Sequence, residues 1–395
     1  MSTAVLIPSA GGRHPPFDLA QGVLPAGPRQ ALTPHRRLTF VPCRADAREH
    51  ELVTQRGIAQ RLAALMGCEL AEGADGMASL GYVIPNDTLM SLAAARRLGI
   101  RGEEDLFGGV VPYPFVATKV ITHGLLRPDA AAPGGWNPDF NERVRDSVLP
   151  GWSVFSVADA REAAQRLLQG GPVRFKPACG IGGAGQSVLH GEADLDAALA
   201  ALPAEQIEQH GLVLERNLAA DVQTYSIGFL RLGSLVASYF GTQRNTLNRL
   251  GQEVYGGSTL TVVRGGFEAL ENLAADDEGA RHAVALARTY HEAARDCFPG
   301  FLASRANYDV VRGLDASGTL CAGVLEQSWR MGGASGAEVA ALQALCDAPA
   351  RHTARASTVE AHGEFDPLPD GAVLYYRGVD EHVGPITKYA LLHED

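Results

Sequence analysis

Cysteine is scarce, and what there is shows no pairing pattern. The six Cys, at Cys43, Cys68, Cys179, Cys297, Cys321 and Cys346, lie far apart with no Cys-x-x-Cys among them. That spacing argues against a zinc ribbon, a thioredoxin-type redox pair and a disulfide framework, and leaves reduced thiols in a cytoplasmic protein as the reading. Long apolar runs are missing as well. The run from Ala4 to Ile7 is far shorter than a signal-peptide core, and no later segment nears the ~20 apolar residues of a membrane span. Positive charge is in deficit: 34 Lys+Arg against 45 Asp+Glu leave a net charge of −11. Nucleic-acid backbones need a basic field, so they are not expected partners, and any anion must find a local basic pocket. What remains is a 395-residue chain, 46% hydrophobic and 20% charged. It is globular, with length for two to three domains at ~100–200 residues each, and it has no internal repeat.

Along the chain, residues 1–35 are rich in Gly and Pro ("GGRHPP", "PAGP") and read as an irregular arm. From 36 to 112 the pattern is strand, helix, strand: "RLTFVPC", an amphipathic helix over 48–67 with Leu52, Ala59, Leu62 and Leu65 on one side, then "GYVIP". A further helix closes on Gly99. Residues 127–150, with "APGGWNP" at their centre, read as a loop-like insertion. Ser156 begins a helix as its cap, "PVRFKPA" is a strand, and "EADLDAALAALP" a helix. "GLVLERNL" is a strand and "QTYSIGFLRLGSLVASYFGT" two strands meeting near Gly233. A long helix runs from about Asp276 to Cys297, and "SRANYDVVRG" and "TLCAGVLEQSW" form a hairpin.

Residues 180–185 read Gly-Ile-Gly-Gly-Ala-Gly, a literal Gly-x-Gly-x-x-Gly. In a dinucleotide fold the last glycine would open a helix, but Gln186 to His190 is β-prone. Gly180 and Gly185 have P-loop spacing, yet the required Lys is Gln186. A third geometry suits the residues better: two strands joined by a glycine flap whose N–H groups cover phosphates, Gly182, Gly183 and Gly185 among them, with Lys176 on the incoming strand. An ordinary glycine-rich turn beside a surface Lys is the plain alternative.

With a two- or four-residue loop, the hairpin around Asp315 to Gly318 sets Asn307 opposite Glu326 and Asp309 opposite Val324. Asp309 and Glu326 then share a face as diagonal neighbours, whereas an odd loop would separate them. Two carboxylates on one face suit Mg²⁺, which takes one or two of them together with phosphate oxygens. Ser328 and Arg330 fall on the same side by alternation. A solvated strand face carrying a Glu–Arg pair is the bland alternative.

On these segments the chain resembles the ATP-grasp superfamily from about Pro112 to Arg330, and as a whole it is similar to a proteobacterial family of ATP-grasp-like proteins of unassigned function. The resemblance implies ATP between two α+β subdomains, residues 113–215 and 216–395, behind a small α/β domain. "FVATKV" resembles the segment of the first nucleotide-binding lysine, Lys119, and "RFKPACGIGGAGQSV" that of the second, Lys176, with its flap. "LVLERNL" resembles the hinge, where Glu215 approaches adenine. "NYDVV" and "VLEQSWRMGG" resemble the Mg²⁺-ligand strands with Asp309, Glu326 and the catalytic Arg330. Ser328 stands where a metal-binding Asn is usual, and Gln223 or Thr224 where an acidic ribose ligand often lies, with Asp221 as a substitute.

Arg244 and Arg264 follow the hinge and could hold a phosphate or carboxylate as bidentate forks. Cys179 reads as a packing residue beside the flap, and His123, His282 and His291 as scattered histidines without metal spacing. The tail set Arg377, Asp380, His382 and Lys388 is open between a cover for the site and an interface. The expected function is an ATP- and Mg²⁺-dependent ligase that activates a carboxylate as an acyl phosphate for an amine. A small-molecule kinase and a nucleotide-binding regulator without turnover are the alternatives. Partners are small-molecule acid and amine, and homo-oligomerisation stays open.

Overall fold

A computed structural model describes residue 35 and residues 37–72, 81–178, 185–248, 251 and 253–394. The first ordered elements are β1 (Arg37–Val41), α1 (Glu49–Met66), β2 (Glu69–Glu72), β3 (Tyr82–Pro85) and α2 (Leu92–Arg97). The three strands form a parallel sheet in the order β2-β1-β3. Four of the five β1 residues and all of β3 are buried, as expected of parallel strands covered on both faces. Gly99 closes α2 at φ 81°, the left-handed geometry foreseen for it. Of the expected N-terminal arm, only residue 35 is among the described residues.

A two-residue strand, β4 (Gly109–Val110), leads to 3-10 turns at Pro114–Ala117 and Lys119–Thr122 and to α3 (Pro138–Val144). The last of these corrects the loop-like reading of residues 127–150. "Asn-Pro" there is a helix start: Asn137 Oδ1 accepts from the Asp139 N–H at 3.0 Å, and Pro138 occupies the first position, where its missing N–H costs nothing. Phe140 is thereby packed edge-on against Tyr290, 5.2 Å between ring centres.

Next come β5 (Gly151–Val154), α4 (Val157–Leu168), β6 (Val173–Pro177), β7 (Ser187–Leu189), α5 (Glu192–Ala201), α6 (Ala204–His210) and β8 (Leu212–Arg216). Ser156 Oγ caps α4 by accepting from the Asp159 N–H at 3.0 Å. The strands form an antiparallel sheet, β5-β8-β6-β7. The glycine run is thus followed by a strand, not a helix, which removes the dinucleotide reading. Of its residues, 180–184 lie outside the described residues with Cys179, while Gly185 has φ 75°.

The rest builds one large sheet from β9 (Leu218–Leu232), β10 (Leu235–Leu247), β11 (Glu253–Arg264), β13 (Arg305–Asp315), β14 (Leu320–Ser328), β15 (Thr353–His362), β16 (Val373–Asp380) and β17 (Gly384–His393). Its order is β14-β13-β9-β10-β11-β15-β17-β16, while β12 (Leu302–Ala303) pairs with β4. The C-terminal tail therefore completes this sheet as a hairpin. One face packs Ile227, Phe229, Tyr308 and Val310 on α7 (Phe267–Leu273) and α8 (Glu278–Cys297). The other packs Leu230, Tyr239 and Leu260 on α9 (Ser335–Asp347) and α1. The mixed α/β and α+β class is the one expected. Among the described residues no helix is long and apolar enough to cross a membrane.

Candidate functional site

Lys119 opens a 3-10 turn clamped from several sides. Gln327 Nε2 donates to the carbonyls of Val116 and Thr118 at 3.1 and 2.8 Å, Asn141 Nδ2 to that of Ile121 at 2.8 Å, and Ser153 Oγ to that of Val120. The fixed turn buries the Lys119 side chain to 3% exposure and sets its Nζ 2.7 Å from Glu326 Oε2. Gln327 and Glu326 are neighbours on β14, so one strand both holds the turn and meets its lysine.

His123 follows the turn directly. It lies at 1% exposure with Nε2 3.0 Å from Glu215 Oε2, while Lys176 Nζ from β6 sits 2.6 Å from the other oxygen. Lys176 and Glu215 meet because their strands pair antiparallel, Arg174 opposite Glu215 and Lys176 opposite Val213. Burial alone would raise the Glu215 carboxyl. The Lys176 ammonium and the His123 hydrogen bond outweigh it and hold the group at about 2.

Asp309 and Glu326 do share a face, but by another route than the one expected. Near the turn the ladder runs Leu314 opposite Leu320 and Val310 opposite Val324, a five-residue connection that would separate the two carboxylates. A bulge at Leu325 adds one residue to β14 between Val310 and Asp309, so Asp309 stands directly opposite Glu326 and Asn307 opposite Ser328. The expected pairs, Asn307 with Glu326 and Asp309 with Val324, are therefore not formed. Gln243 Nε2 from β10 and Asn307 Nδ2 donate to Asp309 Oδ1 at 2.7 and 3.0 Å. Burial, and then the facing Glu326, push Asp309 up to about 7 against those two hydrogen bonds. Sequence reasoning placed Asn307 on this face without giving it a role and passed over Gln243, which reaches the face through the β13–β9–β10 register.

Below the pair lies a buried ion pair, Arg305 with Glu338 at 2.6 Å and at most 1% exposure. Arg305 Nη1 also reaches the carbonyl and hydroxyl of Ser328 at 3.0 and 3.4 Å and the carbonyl of Arg330. A cation thus already stands beside the Ser328 hydroxyl, which weakens that residue as a metal ligand. Arg330 turns its own guanidinium to Asp87 Oδ1 at 3.4 Å and to the Met331 carbonyl at 3.0 Å.

Two residues expected at the site are elsewhere. Arg264 is occupied by main-chain carbonyls, Arg351 O at 2.9 Å and Leu345 O, and so ties down the end of α9. Arg244 is exposed and follows Gln243 on β10, so alternation turns it to the face opposite Asp309. The same rule turns Gln223 away, its Oε1 accepting from Tyr225 at 2.8 Å, and leaves Thr224 on the side of Ser226. Asp221 is exposed at φ 51°, where the β9–β13 register shifts. His291 is packed among Phe229, Phe267 and Phe301, and His282 is exposed, so neither joins the site. His123 does join it, and a lone histidine offers no spacing by which to find it.

A family described as "Protein of unknown function (DUF3182)" matches residues 39–390, a span that holds every residue of the site. The chain belongs to this family. No curated protein matches the DUF3182 chain. Among solved structures it is similar to an N5-carboxyaminoimidazole ribonucleotide synthetase, 15% identical over 92% of this chain and 94% of that one, with a TM-score of 0.49. A D-alanyl-alanine synthetase A from Vibrio cholerae is 12% identical over 76% and 90% of the two chains, TM-score 0.49. A phosphoribosylamine–glycine ligase from Thermotoga maritima is 12% identical over 91% and 92%, TM-score 0.48. These are likenesses of outline. They supply no substrate.

Proposed function

We propose that the DUF3182 chain is an ATP-grasp ligase, dependent on ATP and Mg²⁺, that activates a substrate carboxylate as an acyl phosphate for attack by an amine. The observation that carries this is the directly opposed pair Asp309 and Glu326, with Lys119 against Glu326 and the next turn leading through His123 to Glu215 and Lys176. Among the described residues no group of three or more His, Cys, Asp or Glu could hold a metal. Two hard carboxylates with room for phosphate oxygens are the donor set that suits Mg²⁺. Bound there, Mg²⁺ would supply charge neutralisation at the β- and γ-phosphates.

In this reading Asp309 and Glu326 hold the metal, with the Ser328 hydroxyl a lesser donor. Lys119 and Lys176 meet phosphate oxygens, and Glu215, on the hinge strand beside the adenine, fixes Lys176 from across the sheet. The flap with Gly182, Gly183 and Gly185 closes over the phosphates. Arg330 stabilises the anion formed as the acyl group is transferred. The chain divides into a small α/β domain over 36–112, a lid over 113–215 and a C-terminal subdomain over 216–395. It acts on small-molecule acid and amine in the cytoplasm.

The test is a trap. Intact protein, Mg-ATP, hydroxylamine and a panel of amino acids and di- and tricarboxylates should release ADP and phosphate and yield a hydroxamate from the true acid. ADP with a stable phosphorylated product and no hydroxamate replaces the ligase by a kinase. Neither product from any acid leaves a nucleotide binder without turnover.

A further inference from the structure

Strand β14 has a second face, and α8 lies against it. Gln327, next to Glu326, turns to that side and is 6% exposed. Its amide is used to capacity. Nε2 donates to the carbonyls of Val116 and Thr118 at 3.1 and 2.8 Å, and Oε1 accepts from the Tyr290 hydroxyl at 3.1 Å. Turning the amide over would set its oxygen against two carbonyl oxygens, so one orientation is enforced. The Tyr290 oxygen also lies 3.3 Å from Thr122 Oγ1. Gln327 and Tyr290 together therefore hold the turn of Lys119 on both sides, at Thr118 before the lysine and at Thr122 after it.

The turn needs this support. A 3-10 turn of four residues makes few and poorly aligned bonds of its own and leaves carbonyls facing outward. Donors from three elements meet them here, Gln327 of β14, Asn141 of α3 and Ser153 of β5. Of the three, Gln327 comes from the strand that carries Glu326. The Lys119 ammonium rests 2.7 Å from Glu326 Oε2, and a flexible four-carbon stem keeps such a distance when its base is fixed against the carboxylate. Consecutive residues of one strand do both: Gln327 holds the base and Glu326 meets the tip.

Lysine usage shows that this ammonium is not an ordinary surface charge. Of the 34 Lys+Arg, three are Lys: Lys119, Lys176 and Lys388. All three are buried, and each stands against a glutamate, Glu326, Glu215 and Glu360, at 2.7, 2.6 and 2.9 Å. Arginine serves the solvated surface of this chain, and lysine is kept for places that take a compact point charge.

We infer that Gln327 is a positioning residue: acting through the turn, it sets where the Lys119 ammonium stands relative to the facing carboxylates, and so where that lysine meets a nucleotide phosphate. Gln327 itself touches neither metal nor nucleotide. The inference deepens the ligase reading and rests on it for the phosphate, though not for the clamp. A shift of about 1 Å in such a group can cost on the order of a hundredfold in rate.

Reductive methylation of the intact protein without nucleotide, using formaldehyde and cyanoborohydride and read by peptide mass spectrometry, follows all three lysines at once. Gln327→Met keeps the length of the side chain and removes both donors. Lys119 should then react about tenfold or more faster as its turn opens, with Lys176 and Lys388 at their parent rates. Tyr290→Phe is the milder second variant: it leaves both donors, frees Oε1, and should speed Lys119 alone by a smaller factor. Lys119 at its parent rate in both variants overturns the inference, and so does an equal acceleration of all three lysines, which marks a loosened fold. Mg-ATP calorimetry on the same samples adds a double-mutant cycle with Lys119→Met. Gln327→Met should weaken binding about tenfold in the parent and change it little once Lys119 is replaced, because the amide acts through that lysine. Losses that simply add overturn the positioning role. A parent that binds no Mg-ATP removes the ligase reading and leaves the methylation rates to decide the clamp; Mg-ATP binding with unselective methylation keeps the ligase and removes the clamp.

Discussion

The small antiparallel sheet and the large one hold their carboxylates under opposite conditions. On β8, Glu215 is sealed at 3% exposure with a partner on each oxygen, Lys176 and His123, and its carboxyl is held at about 2. On β13 and β14, Asp309 and Glu326 face each other with one ammonium, Lys119, drawn to the Glu326 side, and Asp309 is pushed up to about 7. One end of the site is complete in the protein alone. The other carries one negative charge more than its own residues neutralise, which suits the cation proposed for it. The rigid end would position a nucleotide and the other would respond to what arrives.

The largest effect should come from breaking the sealed end. Glu215→Ala leaves Lys176 and His123 buried without their shared partner, and removal of one member of a buried ion pair costs about 3–5 kcal/mol. Urea unfolding should show a loss of that size and a smaller one for Glu215→Gln. A loss below about 1 kcal/mol would mean that this end is no more sealed than the other.

Next in size is the lysine of that end. Lys176→Ala should weaken Mg-ATP binding by about 1.5–3 kcal/mol, the worth of a hydrogen bond to a charged group. Calorimetry reads it directly, and an unchanged affinity would detach Lys176 from the nucleotide.

The smallest effect sharpens the contrast through pH. Asp309 ionises near about 3.9 when unfolded and at about 7 when folded. Between those values the folded chain holds a proton that the unfolded chain has shed. Stability from this group therefore falls as pH rises through the window and is untouched below it. Glu215 has the opposite sign. Its contribution is whole above about 4.3 and lost as pH falls toward about 2. Asp309→Asn should accordingly be more stable than the parent at pH 7.5, by about 1 kcal/mol because solvent partly screens the half-buried group, and should converge with it by about pH 4. Denaturant titrations at the two pH values that showed a constant gap would remove Asp309 as the strained group.

Strand and helix patterns of the sequence carried most of the elements, because periodicities of 2 and 3.6 survive in almost any context. Lys176 before its glycine loop was legible for the same reason: strand, loop and strand are local. What failed was non-local or one residue in size. Nothing in "GVLEQS" marks Leu325 as an extra residue, with no glycine or proline to flag the bulge. The Asn-Pro start of α3 reads as a breaker until Phe140 is seen packed on Tyr290. Arg264 and Arg330 look alike in sequence, and only the carbonyls around Arg264 show that it is spoken for.

The bulge at Leu325 also decides which genetic changes this site can survive. Within β14 a change of one residue for another leaves the count intact, so Glu326 stays on its face whatever Leu325 becomes. A three-base deletion removing Leu325 would keep the reading frame and the strand, restore an unbroken ladder with Val310 opposite Val324, and leave Glu326 opposite Asp309 on the same face. Such a chain would keep both facing carboxylates on a straighter strand, so the ladder position of Glu326, more than the length of β14, is what this strand must conserve.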